Sequence, residues 1–347
     1  MCAEACLSLD EITLQAVEKD VQIRRLPMRA KRKAATQKLS TRLVQLLPNT
    51  PRRNQYDDAW GCSHRLIEYQ ECIRSWGYCH RRICTVCASI RQAHIIGSYD
   101  FHQLPDPHFV TLSARNITAD RLTERIQEYE DVWRKEMQAL QKKNRRQKRD
   151  KISGLRKLEI TYNDTHGKWK NTYHPHFHVL ISGSANAEEL RATWLQYWGD
   201  EASHLAQDVR ACDESTMLEM SKYETKLAIT ADPNSDDVVR AIDVIVGALF
   251  GKRTLQPFGD FKKHEPEDQF EKDYGEPVAN WEWNARRGMW LVNGQRDQPR
   301  DYQFDRTSKG YKKVELIELA PQLTTPKPDQ LRLFESKDWV WYERDGR

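Results

Sequence analysis

The chain of 347 residues has no run of the ~18 apolar residues that a membrane-crossing helix requires. Nor has it a large excess of one charge: 55 Lys and Arg against 51 Asp and Glu leave a formal net charge of +4, so any affinity for a polyanion has to come from local patches. The first residues lack the basic start and apolar core of a secretory leader, with Glu4, Asp10 and Glu11 in their place, and the expected location is the cytoplasm. No internal repeat is found. Cysteine, by contrast, is present eight times, and in a reducing compartment these thiols read as metal ligands or free groups before disulfides. A hydrophobic share of 39% and a charged share of 31% describe a polar chain, long enough for two or three compact units.

Basic residues cluster early. Arg24, Arg25, Arg29, Lys31, Arg32, Lys33, Lys38 and Arg42 fall in the second half of a helical pattern over 11–47, closed by Pro48 and Pro51. A Cys-rich stretch follows. Cys79, Cys84 and Cys87 have the Cys-x₄-Cys-x₂-Cys spacing that puts three thiolates in one knuckle, and a fourth donor from upstream would complete the tetrahedron of a structural Zn²⁺. Cys62, His64, Cys72 and His80 are all within reach of that role. Cys2, Cys6 and Cys212 are left as free thiols.

Alternation then predicts strands. His108 to Ala114 presents Val110, Leu112 and Ala114 on one face. A long helical pattern over 118–149 ends in Lys142, Lys143, Arg145, Arg146, Lys148 and Arg149, a basic run suited to DNA-backbone contact. Residues 155–162 place Leu158, Ile160 and Tyr162 on one face and Lys157, Glu159 and Thr161 on the other. The polar turn 163–167 joins them to 174–181, where His174, His176, His178 and Leu180 point one way and Pro175, Phe177, Val179 and Ile181 the other. One buried core requires the apolar faces to coincide, which puts Glu159 on the surface of the histidines. Two imidazoles and a carboxylate suit Mg²⁺, Mn²⁺ or Zn²⁺ with open positions for substrate oxygens.

A helix over 187–198 is ended by Gly199, and Leu205–Ala211 is a further expected strand. Asp213 or Ser215 can cap the next helix, on which Glu219, Tyr223 and Lys226 stand at i, i+4 and i+7 and so share one face. A carboxylate, a phenol and an ammonium in one line are poor core material. Asp236–Phe250 is a second amphipathic helix, with Val238, Ile242, Ile245, Val246 and Leu249 inward. Residues 262–280 are acidic and poor in apolar side chains, and the runs around Trp281–Trp283 and Met289–Val292 suggest a hairpin. Strand, helix, strand, strand, helix, strand, helix is an α+β plan with an antiparallel sheet and flanking helices.

His176-Phe177-His178 resembles the His-hydrophobe-His signature of HUH endonucleases, and Tyr223 with Lys226 resembles their Tyr-x-x-Lys motif. Phe109-Val110-Thr111-Leu112-Ser113 is similar to their first motif, and Glu219, four residues before the tyrosine, matches the single-tyrosine plasmid rolling-circle replication initiators. The resemblance spans about Cys72 to Phe261 and implies a palm-like, ferredoxin-related fold. It also implies Cys72 as the fourth zinc ligand beside Cys79, Cys84 and Cys87, and an active-site Mg²⁺ or Mn²⁺ on His176, His178 and a third group, for which Glu159 is the candidate. Tyr223 would be the nucleophile that nicks origin DNA, single-stranded or in a hairpin, with Lys226 assisting and Glu219 the base of a terminating second cut. Implied partners are a host helicase and DNA polymerase and, for some members, a second copy in a homodimer. The expected segments are a basic arm over 1–55, a zinc module over 56–100, the endonuclease domain over 101–261 and a linker with a Trp-rich tail over 262–347. A relaxase, a transposase and a non-catalytic zinc-dependent DNA-binding regulator are the alternatives.

Overall fold

The computed structural model describes residues 9–69, 72–164, 169–221, 233–263, 276–293, 299–300, 303–305 and 310–312. Its contacts divide the chain into two units that do not follow sequence order.

The larger unit draws on 42–53 and 88–267. Its sheet has the order β6-β3-β5-β4-β7, formed by β3 (Pro107–Ser113), β4 (Gly154–Asn163), β5 (Thr172–Ser182), β6 (Asp208–Ala211) and β7 (Leu255–Phe258). Every described pairing in it is antiparallel. Period-two alternation sorts the side chains as expected. Val110, Leu112, Leu158, Ile160, Phe177, Val179 and Ile181 face one way, into a core shared with α4 (Leu122–Arg146), α5 (Ser184–Trp198) and α7 (Asp236–Ala248). Complete burial of side chains such as Phe177 and Val179 stabilises the unit by about 1.5–3 kcal/mol each. Ser235 caps α7 through Val238 N. The other face carries a smaller apolar cluster of Leu104, Phe109, Leu155, Leu180, Met220 and Phe261, next to which the polar site is built.

Met220 comes from α6 (Glu214–Ser221), the helix that Asp213 begins: Thr216 N donates to Asp213 Oδ1 at 3.0 Å and Asp213 N donates to Thr216 Oγ1 at 3.0 Å. The expected strand over Leu205–Ala211 is shorter, because 204–206 turn as a 3₁₀ helix and only Asp208–Ala211 pairs, at the sheet edge.

The smaller unit draws on 1–41, Asn54–Cys87 and 268–330. It contains α1 (Leu9–Leu46) up to Thr41, α2 (Arg53–Gly61) from Asn54, and the sheet β10-β9-β8-β1-β2. Its strands are β1 (Arg65–Glu68), β2 (Ile73–Ser75), β8 (Ala279–Asn284), β9 (Met289–Asn293) and β10 (Pro299–Arg300). The expected hairpin of Trp-rich strands is therefore β8–β9, and it pairs with β1, Leu66 opposite Trp281. Ala30, Leu66, Ile73, Trp281, Trp283, Trp290 and Val292 form the core. Two residues of the basic N-terminal helix are absorbed here and are not available to a polyanion. Arg29 Nη2 donates to Ser63 Oγ and to Tyr78 OH, both at 2.9 Å, and Lys33 Nζ donates to the Cys62 carbonyl at 2.6 Å.

Candidate active site

The β4–β5 register sets Glu159 directly opposite His176 and Lys157 opposite His178, while β3 sets Thr111 opposite His178. One ligand atom each from Glu159, His176 and His178 lies within 4.8 Å of the others, so the three expected donors do converge. His178 Nε2 is 3.7 Å from Glu159 Oε2. The outer ring nitrogens are occupied. His176 Nδ1 donates to the His174 carbonyl at 3.1 Å, and His178 Nδ1 is 3.3 Å from Thr111 Oγ1. An outer partner of this kind orients a ligating imidazole and fixes its tautomer. Mixed N and O donors fit a divalent cation. His174 shares the face and stacks on His176 at 5.2 Å, but it is not in the converging group.

Electrostatics support the same arrangement. Burial opposes ionisation of Glu159, yet the charges of Lys157, His176 and His178 outweigh it and hold the carboxyl at about 2. Burial lowers His178 to about 3, with His176 and Lys157 adding to it against Glu159 and Glu219. His174 is lowered to about 4 by burial and by His176. Near neutrality Glu159 therefore stands as a carboxylate and His178 as a neutral imidazole, protonation states that ligate.

Lys157 is the residue that motif reading passed over. It is 2% exposed, and its Nζ donates to Glu159 Oε2 at 3.0 Å and to the Glu219 carbonyl at 3.2 Å. It thereby ties α6 to the ligand strand. Alternation put it on the right face; only the fold shows that it bridges two elements. Replacing Lys157 with Met is expected to tighten Mn²⁺ binding on the order of tenfold, because a like charge beside the carboxylate is removed. Weaker Mn²⁺ binding in a titration would contradict this electrostatic role.

Glu219 stands in the last turn of α6, half-buried, and its charge is felt by His178. Tyr223 and Lys226 lie outside the described residues, two and five positions beyond Ser221.

Three of the four cysteines expected to converge do so, and a different fourth joins them. Cys62, Cys79, Cys84 and Cys87 bring their sulfurs within 4.8 Å of one another, with Cys62 in the position expected for Cys72. Cys62 follows α2 and is held by Lys33, whereas the Cys72 carbonyl accepts from Tyr69 N and closes the turn between β1 and β2. Cys72 is buried outside the group. Separations of 3.5 Å for Cys62–Cys87 and 3.7 Å for Cys79–Cys87 come close to the tetrahedral edge of about 3.8 Å implied by Zn–S bonds of about 2.3 Å. Backbone N–H groups of Cys79, Arg81 and Cys87 donate to Cys62, Cys79 and Cys84, as thiolates require. Hydrogen bonds among the four sulfurs pull the Cys87 thiol far below the usual range and push Cys62, Cys79 and Cys84 above it, so a single thiolate is favoured until a metal displaces the other protons. The donor set thus fits a structural Zn²⁺.

The family model described as "Replication protein" matches residues 71–282, well over half of the chain. The chain belongs to this family. Among curated relatives, a "Protein rep" from Staphylococcus aureus is 29% identical over 186 residues, covering 47% of this chain and 75% of that one. A second "Protein rep", from Bacillus amyloliquefaciens, is 26% identical over 222 residues, 54% of this chain and 63% of the relative. A third, from Streptococcus pneumoniae serotype 2, is 26% identical over 216 residues, and this chain spans 62% of its length. No solved structure matches. The family match covers the four converging cysteines except Cys62, the Glu159–His176–His178 group and Glu219.

The basic run is placed on the other side of the sheet. Lys142, Lys143, Arg145 and Arg146 close α4, with Lys148 and Arg149 in the turn beyond it. Since α4 packs on Phe177 and Val179, these residues belong to the helical face, opposite the histidines. Lys143 is paired with Glu189 at 2.6 Å.

Proposed function

We propose that this protein initiates rolling-circle replication of a plasmid by nicking single-stranded origin DNA and later closing the strand. The observation that supports this reading is a buried carboxylate converging with two imidazoles and pinned by Lys157 to α6, whose last described residue stands two positions before Tyr223. A divalent ion such as Mg²⁺ or Mn²⁺ held by Glu159, His176 and His178 would supply Lewis-acid polarisation of the scissile phosphate.

Tyr223 is the nucleophile. Its phenolic oxygen bonds to phosphorus as the bond to the 3′ oxygen breaks; the 5′ phosphate stays on the tyrosine and the 3′ hydroxyl is free for a polymerase to extend. A phenol ionises near pH ~10, so a cation must favour the phenolate, and Lys226, three residues on, provides it. Glu219 acts later, as the base that activates water for the terminating cut. Basic residues from Lys142 to Arg149 contribute contacts to DNA phosphates. The partners in this reading are plasmid origin DNA, a host helicase and a DNA polymerase in the cytoplasm, with a homodimer as the assembly in which a second protomer could share the two cuts. No helix among the described residues is long and apolar enough to cross a membrane.

The direct experiment is incubation of the full chain with labelled single-stranded DNA and Mn²⁺. A covalent adduct is expected for the natural chain and none for Tyr223→Phe, with DNA binding retained in both; an undiminished adduct in the variant transfers the role to another residue, Tyr197 first. Glu219→Gln separates the two cuts. Initial nicking should persist while replication runs past the origin and accumulates multimeric single strands. Normal termination in that variant would remove Glu219 from the mechanism.

A further inference from the structure

Arg156 carries a buried charge with no carboxylate paired to it among the described residues. It stands in β4 at 2% exposure, its guanidinium 4.5 Å from the centre of the Phe177 ring and 5.3 Å from that of Trp133. Its Nη2 donates to Gln256 Oε1 at 2.8 Å, its Nε has no partner, and no ion pair to it is found among the described residues. Glu130, an acid whose charge reaches it, is bonded to Lys252 at 2.9 Å. Burial lowers this guanidinium to about 10, against the attraction of Glu130. Leaving a buried charge unpaired destabilises a fold, and an anion from outside the chain would offset that.

Arg156 opens onto a groove of about 930 Å³ between α4, β4 and β7. The same groove is lined by Arg134, Lys142, Arg145, Arg149 and Lys151, with Glu130 the one acid among its described lining residues and Trp133 and Phe258 among its apolar walls. Lys151 is paired with Asp260 and Arg134 with Asp131, while Lys142, Arg145 and Arg149 have no ion-pair partner among the described residues. The C-terminal dipole of α4 accounts for cations in its last turn. It does not account for Arg156, in a strand, or for Arg134, three turns earlier.

Because Arg156 and Lys157 alternate along β4, the groove and the Glu159–His176–His178 group occupy opposite faces of one sheet. A strand threaded at the histidines reaches the groove only by passing round the sheet edge. We propose that this groove is a second nucleic-acid site, which grips the phosphodiester backbone of a DNA segment other than the one presented for cleavage. The proposal rests on the reading of the protein as one that acts on DNA. Several spaced cations along a groove favour a polymer over one compact phosphate, and apolar walls suit the sugar edges between phosphates.

The test measures metal-free binding of the full chain to a duplex several helical turns long, by fluorescence anisotropy over a salt series. The double variant Arg145→Glu, Arg149→Glu should bind more than tenfold more weakly, and the slope of log affinity against log salt should fall by about 2. Unchanged affinity and slope overturn the groove. Competition by inorganic phosphate or a mononucleotide, at concentrations where a short single strand does not compete, overturns it in favour of a small-molecule site. A second variant reads the buried charge. Arg156→Met should melt higher than the natural chain without DNA and lose most of the DNA-induced rise in Tm; a lower Tm without DNA makes Arg156 a packing residue and counts against the proposal. Covalent adduct formation with Mn²⁺ is assayed separately on the natural chain, so its absence counts against the nuclease reading and leaves the groove to its own measurements.

Discussion

Substituting Ala for His176 or His178 is expected to abolish metal-dependent cleavage and to weaken Mn²⁺ binding by a hundredfold or more. Each ring is oriented by a partner on its outer nitrogen, the His174 carbonyl for His176 and Thr111 for His178, and both converge with Glu159 before any ion arrives. Losing either leaves two donors, too few to hold an exchangeable divalent ion against water. Removing an outer partner costs about 10–100-fold in affinity where this has been examined, and removing the ligand itself should cost more. His174→Ala should be much milder. It keeps the backbone carbonyl that orients His176 and deletes only a stacked ring outside the converging group. The comparison is a Mn²⁺ titration of the three variants beside the adduct assay. Equal losses in all three would mean a different ligand set, and no loss in any would remove the metal site.

Cys62→Ser is expected to release zinc and unfold the smaller unit, while Cys72→Ser retains the metal. Structural zinc contributes about 10–16 kcal/mol of binding free energy in small domains that lack a large core. Here the knuckle joins the end of α2, the segment after β2 and the start of α3 (Thr85–Ser98), so one ion would tie three stretches of chain. Cys84→Ser should behave like Cys62→Ser. Metal analysis of protein purified without chelators should find about one zinc per chain in the natural protein and in Cys72→Ser, and none in the other two. Zinc lost from Cys72→Ser but retained by Cys62→Ser would restore the ligand set that family resemblance implied.

Strand periodicity is local, and for that reason the side chains that share the histidine face could be read directly from residues. Leu158 and Ile160 on one side and Lys157 and Glu159 on the other define a pleat, and matching it to His176, Phe177 and His178 allows one register in which the apolar side chains meet. The capped start of α6 was legible for the same reason, since Asp213 acts on residues three positions away. The β8–β9 hairpin was legible through its alternating tryptophans, but its partner was not. Pairing of Leu66 with Trp281 joins strands far apart in the chain, and no local period encodes which distant edge a hairpin completes.

Two further assignments depended on the same kind of long-range information. Spacing places three thiols in a knuckle whatever else the chain does, whereas the fourth is whichever sulfur the surrounding helix and hairpin deliver, and Lys33 from α1 holds Cys62 there. The basic run is adjacent in sequence to the strand that carries Glu159, yet α4 packs on Phe177 and Val179, which turns those cations to the opposite face. Sequence by itself determined which side chains share a face, the pleat and the caps, because those follow from contacts within a few residues. Tertiary structure alone decided the fourth cysteine, the bridge made by Lys157 and the side of the sheet on which the cations lie, because each depends on which elements pack together.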